Sequence, residues 1–582
     1  MIVQMKRLML LCMAKEVDST LKSLRDLGAV HLDLQSGGGD GVAAAGGELE
    51  DAEKAVRIAL KAAKETGSTA STGSLSVESI LELDARREEL KTSADTLKGI
   101  VRKYEPFGDF NPVLAEKLAA AGVRLLLRDD GTYCFAYGDE EVEELPGVRE
   151  IPLPSERLAV TKSKLADAER EIADITAKIA GADVSEIVKS FPGLRDAVEF
   201  AAAKDEMSAN LVCGGDAASA GVSLIRGWIA QDGVESLQNA ARNHGWGLFL
   251  RDPNADETPP TLIRPPKLFR PVKALFEGLG ISPAYTEADV SVPFMCYFSL
   301  FFAMLVGDGA YGAIFLAATL YGWKKTSGGN RSPLAKSWLV LMTVFSSATV
   351  LWGLLSNTWF GAQIPWCAGW PTVKWLADPS YQNMMLLCFT IGASHLIVAR
   401  IWNGICRIND STCVAEFGWA GILLFMYFVT NSIVGIFSGI PSALYWVFAV
   451  SLAMVFGFSV KPSELKTRGA ELGMLPLNIM SALGDIISYV RLFAVGLASV
   501  KVAENFNSMA TGLLDGAESM WAKVLMAVAM VAILVLGHAL NLVMAGLSIL
   551  VHAVRLNTLE FSNHKGVSWA GYAFNPFRKR EG

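Results

Sequence analysis

An arginine, Arg491, stands inside a long apolar run of the sequence, residues 484–507. A guanidinium stays charged in a protein, and placing it at the centre of a membrane helix costs about 2.5 to 3.5 kcal/mol even on lenient insertion scales. Small and polar residues share its face of a helix, namely Ser481, Gly484, Asp485, Ser488 and Ser499. This pattern predicts that Arg491 faces protein or water and has a functional role.

A second apolar run, residues 538–560, repeats the pattern. One stripe along a helix contains His538, Asn541, Ala545, Ser548, His552 and Arg555. Like charges are not gathered in hydrocarbon without an anion to face, so two such arginines predict a site that meets a negatively charged group. The alternative is that each arginine pairs with an acid of this chain, such as Asp485, Glu504 or Glu560, and only fixes packing.

The charge and the hydrophobicity divide the chain into two parts. The mean hydropathy is +0.33 and only 19% of the residues are charged, values that a wholly soluble protein rarely has. Residues 1–290 carry 34 basic and 47 acidic side chains, whereas residues 291–582 carry 18 and 12. We therefore expect an acidic soluble domain at 1–290 and a membrane domain at 291–582.

Several classes of site and compartment are disfavoured by the sequence. No GxxxxGK[ST] motif occurs, so ATP binding by a P-loop is not expected, and the eight cysteines form no CxxC pair that would indicate zinc or a disulfide framework. The first residues contain an apolar stretch too short for a signal-peptide core, which predicts that the soluble domain stays in the cytoplasm. We expect no cofactor, no metal and no nucleic-acid partner.

The soluble domain is predicted to be two α/β lobes joined by a coiled-coil arm. Strand, helix and strand patterns occur at 1–35 and again at 222–250, and a further α/β element covers 123–138. Residues 37–47 resemble a flexible glycine and alanine linker. Residues 155–181 form a coiled-coil pattern with Leu165, Ala168, Ile172, Ile175 and Ile179 on its seam, and this arm suits docking to other proteins.

Seven apolar runs follow a proline-rich connector, and the first is best interpreted as a hairpin of two short helices turning at Gly307, Asp308 and Gly309. Asp308 is then a turn residue or, alternatively, part of an ion path. This gives eight membrane helices, the last two long and tilted, with both ends of the chain in the cytoplasm. The basic residues that place loops and the chain end on that side are Lys324, Lys325, Arg331, Lys336, Arg400, Arg407, Lys461, Lys466, Arg468, Arg578, Lys579 and Arg580.

Two segments with these arginines resemble a known family. SYVRLFAVGLA, with AENFN downstream, and VHAVRLNTLEF are similar to the two arginine motifs of the membrane subunit of V-type rotary ATPases, vacuolar and archaeal, called subunit a or subunit I. The run PFMCYFSLFFAMLVGDGAYG resembles the first membrane hairpin of that family, and IGASHLIVARIWN resembles its middle helix. The resemblance extends over nearly the whole chain.

The resemblance implies a noncatalytic stator subunit that provides two half-channels for H⁺ or Na⁺ beside a rotating ring of proteolipid subunits of c or K type. Arg491 would be the essential arginine and Arg555 its partner for ion translocation. The residues implied as possible half-channel lining are Ser488, Ser499, His538, Asn541, Ser548, His552 and Glu560. The sequence departs from eukaryotic relatives at Ala545, where they carry an acid, and at Ser499, where they carry a histidine.

The implied partners are the proteolipid ring, peripheral stalk subunits of E and G type, the remaining subunits of the V-type ATPase and the lipid bilayer, with the prokaryotic plasma membrane as the expected location. ATP chemistry would belong to other subunits. One rival is a secondary transporter whose intramembrane arginine binds an anion, although no matching halves are found in the sequence. Another is a membrane-anchored scaffold whose arginines are structural.

Overall fold

The computed structural model of the protein describes residues 2–34, 38–67, 73–109, 111–128, 132–137, 148–153, 156–212, 221–254, 256–325, 333–363, 372–377, 380–460, 470–513 and 520–580. The chain divides into two compact units. We call Arg7–Arg251 with Pro576–Gly582 the α/β unit, and Met1–Lys6 with Asp252–Asn575 the membrane unit.

In its described residues the α/β unit contains eight strands and seven α-helices. In chain order they are β1 (Met5–Met13), α1 (Val17–Leu27), β2 (Val30–Leu32), α2 (Asp40–Thr66), α3 (Val77–Tyr104), α4 (Pro112–Ala120), β3 (Val123–Arg128), β4 (Tyr133–Tyr137), β5 (Val148–Ile151), α5 (Leu158–Ala180), α6 (Ser185–Ala209), β6 (Leu211–Val212), β7 (Val222–Ala230), α7 (Val234–His244) and β8 (Gly247–Arg251).

Two sheets organise the described part of this unit. The larger has the strand order β2-β7-β1-β8, with β6 on β7, so the strand patterns from the two ends of the soluble region join in a single sheet. The pairings of β1 with β8, of β2 with β7 and of β6 with β7 are antiparallel, and Leu10 of β1 lies opposite Leu248 of β8. The smaller sheet has the order β4-β3-β5. The two α/β lobes of the sequence interpretation remain a prediction.

Long helices connect the strands of the two sheets. Helix α3 packs along α5, and ion pairs such as Arg86 with Glu171 lie between them. Ile175 and Ile179 of the predicted seam are buried in a core with alanines of α2. The expectation of a flexible linker at 37–47 is wrong where the structure describes it, because α2 begins at Asp40. Alanine is the strongest helix former, and the buried side of α2 is rich in it.

The membrane unit is helical. Its helices are α8 (Val272–Leu279), α9 (Ser291–Val306), α10 (Gly309–Lys325), α11 (Pro333–Ser356), α12 (Lys374–Ala377), α13 (Tyr381–Cys406), α14 (Cys413–Ile433), α15 (Ser442–Phe458), α16 (Ala470–Gly473), α17 (Leu475–Ile487), α18 (Val490–Gly512), α19 (Met520–Ser548) and, after two π-helical stretches, α20 (Ser562–Lys565). Their core is built mainly of large apolar and aromatic side chains, such as Phe294, Phe301 and Phe345.

In the described part of the chain, five helices are long and apolar enough to cross a membrane, or six if α9 and α10 count as one span bent by 120°. The last two of these spans cover 38 and 43 residues. Helix α15 is apolar but shorter. The chain is thus a multi-pass membrane protein, while the count of eight helices, their tilt and their orientation remain predictions. Four basic residues used for that orientation lie outside the described residues: Arg331, Lys461, Lys466 and Arg468.

The turn between α9 and α10 lies where the sequence places it. Gly307 adopts a left-handed conformation (φ 68°) and ends α9. Both carboxylate oxygens of Asp308 accept backbone N–H groups, from Ala310 at 2.8 Å and from Gly361 at 2.7 Å. Asp308 therefore holds the turn against the segment that follows α11, which is the structural role predicted for it.

Candidate functional site

Arg491 lies just after an interruption between two apolar helices. Helix α17 ends at Ile487 and α18 begins at Val490, and the two residues between them, Ser488 and Tyr489, keep right-handed helical backbone angles. The backbone tightens here, because the N–H groups of Arg491 and Leu492 bond to carbonyl oxygens three residues back instead of four. The chain thus tightens for one turn just before Arg491 within a single span, Leu475–Gly512.

Around Arg555 the last helix is wider than an α-helix, whereas the backbone at the start of α18 is tighter. After Ser548 it becomes π-helical at Ile549–Ala553 and again at Leu556–Phe561, on either side of Arg555. In a regular α-helix, residues five apart point about 140° away from each other. The i to i+5 pattern of a π-helix instead places them on one side, so Arg555 and Glu560 come together.

Arg491, Arg555 and Glu560 form what we call the arginine centre. One oxygen of Glu560, Oε1, lies 3.8 Å from Arg491 Nη1 and 3.4 Å from Arg555 Nε. Both contacts are long for hydrogen bonds. Arg491 Nη1 and Glu560 Oε2 are buried and have no hydrogen-bond partner among the described residues. Two cations thus share one anion, and part of their hydrogen-bonding capacity is unused.

The other two acids considered as partners for the arginines are occupied elsewhere. Asp485 Oδ2 lies 2.9 Å from His564 Nε2, and Glu504 Oε2 lies 2.6 Å from Lys501 Nζ. Of the three candidates, only Glu560 reaches the arginine centre in the described residues.

The Asp485 cluster consists of Asp485, His564, Arg400, Glu416 and Asn403. Arg400 Nε donates to His564 Nδ1 at 3.2 Å, and Arg400 Nη1 donates to Glu416 at 3.1 Å. Because a guanidinium only donates, His564 Nδ1 must accept, and a neutral His564 then donates from Nε2 to Asp485. Asn403 donates to the backbone oxygen of His564. A cavity of about 440 Å³ adjoins this cluster, lined by Arg400, Asp485, His564, Asn478 and Ser481 among others.

The Asn541 cluster consists of Asn541, Ser499, Tyr311, His538 and Asn507. Asn541 Nδ2 donates to Tyr311 OH at 3.1 Å, and Ser499 Oγ donates to Asn541 Oδ1 at 3.2 Å. Tyr311 OH and His538 Nδ1 are 2.7 Å apart, and His538 Nε2 lies 3.1 Å from Asn507 Oδ1. Asn507 in turn donates to the backbone oxygen of Phe360. These bonds form a continuous hydrogen-bonded chain.

The two clusters lie on opposite sides of the arginine centre along the helices that carry it. Asp485 precedes Arg491 by six residues and Ser499 follows it by eight, which corresponds to about 9 Å and about 12 Å of helix rise. On the last helix, His538 and Asn541 precede Arg555, and His564 follows it. The arginine centre thus lies between the Asp485 cluster and the Asn541 cluster along these helices.

The structure separates the predicted lining residues into groups. Ser499, His538 and Asn541 are brought together, and Glu560 is in the arginine centre. His552 lies in the π-helical stretch before Arg555 and is half-buried. Ser488 and Ser548 donate to the backbone oxygens of Gly484 and Met544, one turn earlier in their own helices.

Sequence reasoning missed several members of both clusters as site residues. Tyr311, Arg400 and Glu416 come from other helices, and periodicity within one helix gives no information about them. Asn507 and His564 lie on the two arginine helices themselves. For Asn507 a signal was available, because it stands about two turns after Ser499 in the sequence. His564 stands nine residues after Arg555, which on a regular α-helix is the opposite face, so helical spacing did not indicate it.

One flank of this region exposes apolar side chains to the surroundings. In the most apolar stretch of 18 residues within Lys523–Lys565, only 11% of the residues are buried. The exposed residues of this helix include Val524, Val528, Val531, Val535, Leu540, Val543, Leu547 and Leu550. Arg555 is on the accessible side with 53% of its side chain exposed, whereas Arg491 is 22% exposed. In the described ranges no group of three or more His, Cys, Asp or Glu residues could hold a metal ion.

Comparison with known proteins identifies relatives along the chain. No family model matches it. It is 28% identical to V-type ATP synthase subunit I 1 of Treponema pallidum, with both chains covered completely. It is 32% identical over 374 residues to V-type ATP synthase subunit I of Borreliella burgdorferi, a match that spans 61% of this chain and 60% of that protein.

A more distant relative is A-type ATP synthase subunit I of Methanocaldococcus jannaschii, which is 25% identical over 61% of this chain and 54% of its own length. The matched region of this chain thus spans somewhat more than half of the Borreliella and Methanocaldococcus proteins. The resemblance drawn from the arginine motifs is confirmed by these relatives. The chain is a homologue of V-type and A-type ATP synthase subunit I, along its whole length in the Treponema comparison.

Proposed function

We propose that this chain is the noncatalytic membrane stator subunit of a V-type ATPase or ATP synthase. It provides half-channels for H⁺ or Na⁺ against a rotating proteolipid ring of c or K type. Its domain at 1–290 anchors peripheral stalks of E and G type and lies in the cytoplasm, as do the residues after the last membrane helix. Eight helices, the last two tilted, cross a prokaryotic plasma membrane. The homology to subunit I supports this assignment.

The observation that carries the proposal is the unequal charge of the arginine centre. Two guanidinium groups share Glu560, and Arg491 Nη1 has no hydrogen-bond partner in the described structure. A carboxylate about 4 Å from a guanidinium gains on the order of 4 kcal/mol at an effective dielectric of 20. A ring carboxylate that reaches Arg491 is therefore favoured in its ionised form and releases the ion it carries.

The same fixed charge prevents a direct leak between the half-channels. A cation moving from one polar cluster to the other would have to pass Arg491 and Arg555, which repel it. In this proposal the Asn541 cluster and the Asp485 cluster belong to the two half-channels. The possible lining residues are Ser488, Ser499, His538, Asn541, Ser548, His552 and Glu560, and the cavity beside Asp485 supports an aqueous path there.

The exposed apolar flank of the last helix supports a neighbour in the membrane. Arg555 lies on that flank and Arg491 is partly accessible, so a ring carboxylate can approach both. An ion that has left the ring then enters one cluster, and the next ion enters from the other. Net transport thus requires rotation.

Substitution of Arg491 in the assembled ATPase tests the proposal. Arg491→Ala and Arg491→Lys should reduce ATP-driven ion uptake into vesicles to background while the complex still assembles, because a lysine lacks the planar fork of donors. Arg170→Lys, which changes an exposed arginine of α5, is the matched control and should pump normally. Undiminished uptake by the lysine variant would remove the requirement for a guanidinium, and undiminished uptake by the alanine variant would refute the proposal.

The structural rival is favoured by a different observation, the position of Glu560 beside both arginines. If these contacts only fix packing, Arg491→Ala should lower the thermal stability of the complex and leave uptake per assembled complex unchanged. The proposal requires instead that Arg491→Ala abolishes uptake per assembled complex and leaves the thermal stability of the complex unchanged. Measuring uptake and thermal stability on the same purified variants distinguishes the two.

A further inference from the structure

Residues Pro576–Arg580 follow every candidate membrane span in the sequence, yet they belong to the α/β unit that begins at Arg7. Phe577 is only 2% exposed and is part of the core formed by β1, α1, β2, α6 and β7. A buried phenylalanine contributes several kcal/mol to a core. The α/β unit thus obtains one of its large core side chains from a distant part of the sequence.

Backbone and ring contacts fix the position of Phe577. Its N–H donates to the backbone oxygen of Val30 at 2.7 Å, which extends the bonding of β2. Its ring stacks on that of Phe200 in α6, with the centroids 6.4 Å apart. Because these contacts involve two different elements, Phe577 joins β2 to α6.

Gly28 allows the next residue to pass close to α1. A Cβ atom at this position would lie 3.2 Å from Cβ of Arg578. Gly28 also has a φ of 60°, which residues with a side chain adopt at a cost. The C-terminal end of α1 is therefore shaped to accept the segment.

Two acids of α6 complete the binding surface. The backbone N–H of Arg580 donates to Asp196 Oδ2 at 2.8 Å, and its guanidinium donates to Glu199 Oε2 at 3.1 Å. Asp196 is 6% exposed. A buried carboxylate without a partner is costly, so these acids are suited to a segment that brings a backbone N–H and a cation.

We propose that Gly28, Val30, Asp196, Glu199 and Phe200 form a docking site for Pro576–Arg580. The amides of the α/β unit become fully protected against hydrogen exchange only when this segment has docked. Since the segment is made after all candidate spans, the unit reaches its final stability after the membrane helices have been synthesised. This inference rests on the contacts of the α/β unit and is independent of ion transport.

Hydrogen exchange on the purified full chain and on a chain ended after Asn575 tests the proposal. We expect amides of β2 and of α1 to exchange at least about 100-fold faster in the shortened chain, because loss of a buried phenylalanine opens the core. Phe577→Ala should act similarly, Phe577→Leu less, and Lys579→Ala, which changes an exposed residue, not at all. Equal protection of β2 and α1 in the full and shortened chains would overturn the proposal.

A synthetic peptide of residues 573–582 separates lost contacts from general misfolding. Added to the shortened chain, it should restore protection of β2 and α1, and the same peptide with alanine in place of Phe577 should not. Failure of the unaltered peptide to restore protection would also overturn the proposal, because the faster exchange would then not come from the missing segment.

Discussion

Arg7 in the α/β unit and Arg491 in the membrane unit are both arginines held largely away from water, but their surroundings differ. Arg7 Nη1 lies 2.8 Å from Asp33 Oδ2, and its guanidinium lies 4.6 Å from the centre of the Trp228 ring. Arg491 Nη1 lies 3.8 Å from Glu560, an acid that it shares with Arg555.

The difference separates an arginine that completes a fold from one that is available to a partner. Arg7 has a close acid and an aromatic face within its own unit, so its charge is compensated locally. Arg491 lies farther from its acid and shares it with Arg555, so its charge is only partly compensated within the chain. A cation whose charge is only partly compensated attracts a further anion, which a partner can supply.

Matched lysine substitutions at these two positions give the largest expected contrast. Arg491→Lys should abolish ion uptake and leave the protection of β1 amides against hydrogen exchange unchanged. Arg7→Lys should do the opposite, with uptake per folded complex retained and β1 destabilised by about 1 to 2 kcal/mol through loss of the close ion pair and the ring contact. If both variants lose uptake, or both lose protection, the distinction between the two arginines is wrong.

Glu560→Gln tests whether the shared acid is a resting counter-ion. It removes the anion between two cations, and we expect uptake to fall several-fold without being abolished, since the ring carboxylate still meets Arg491. Glu504→Gln is the control, because Glu504 pairs with exposed Lys501 and should not affect uptake. Complete loss of uptake in Glu560→Gln would instead show that ion transfer itself requires the carboxylate of Glu560.

The smallest expected effect concerns pH and the docking site of the α/β unit. Burial raises the pKa of Glu199 above its ordinary value, and the nearby Arg580 guanidinium only partly offsets this. The folded carboxyl then keeps its proton to higher pH than the unfolded one, so its contribution is present at low pH and is lost as pH rises through the folded pKa.

Thermal unfolding of the wild type and of Glu199→Gln measures this contribution. Relative to the variant, the wild type should lose up to about 1 kcal/mol as pH rises from about 4 through the raised pKa, because only the wild type has to ionise a buried group. Glu186→Gln, at an exposed position of α6, is the control. If the wild type instead gains stability over the variant as pH rises, the attraction of Arg580 outweighs burial.

Much of the helical architecture was predictable because it follows from hydrophobicity. Apolar runs indicated the helices of the membrane unit, and the GDG motif indicated the turn at Asp308. Helical spacing placed Ser499 on the face of Arg491, and His538 and Asn541 on the stripe of Arg555. These features are local or repeat with a single period, so one sequence contains the necessary information.

The remainder depended on contacts between distant residues. Tyr311 and Arg400 enter the clusters from helices whose pairing no periodicity encodes, and Phe577 enters the core of the α/β unit from beyond the membrane helices. Residues 40–47 were misjudged for a different reason. Glycine favoured a loop there, but their alanines and the packing of α2 favour a helix.

The π-helical stretch Leu556–Phe561 makes the number of residues between Arg555 and Glu560 as important as their identity. Removing one residue between Arg555 and Glu560 would leave a spacing of four, which brings the two side chains together only if the stretch becomes α-helical. Inserting one residue would rotate the carboxylate about 100° around the helix axis away from the guanidinium. Such a protein would keep the recognisable VHAVRL motif while losing the arrangement in which one acid serves two arginines. Alignments of relatives should therefore be inspected for gaps in the four positions between Arg555 and Glu560 before a matching arginine is assigned the same role.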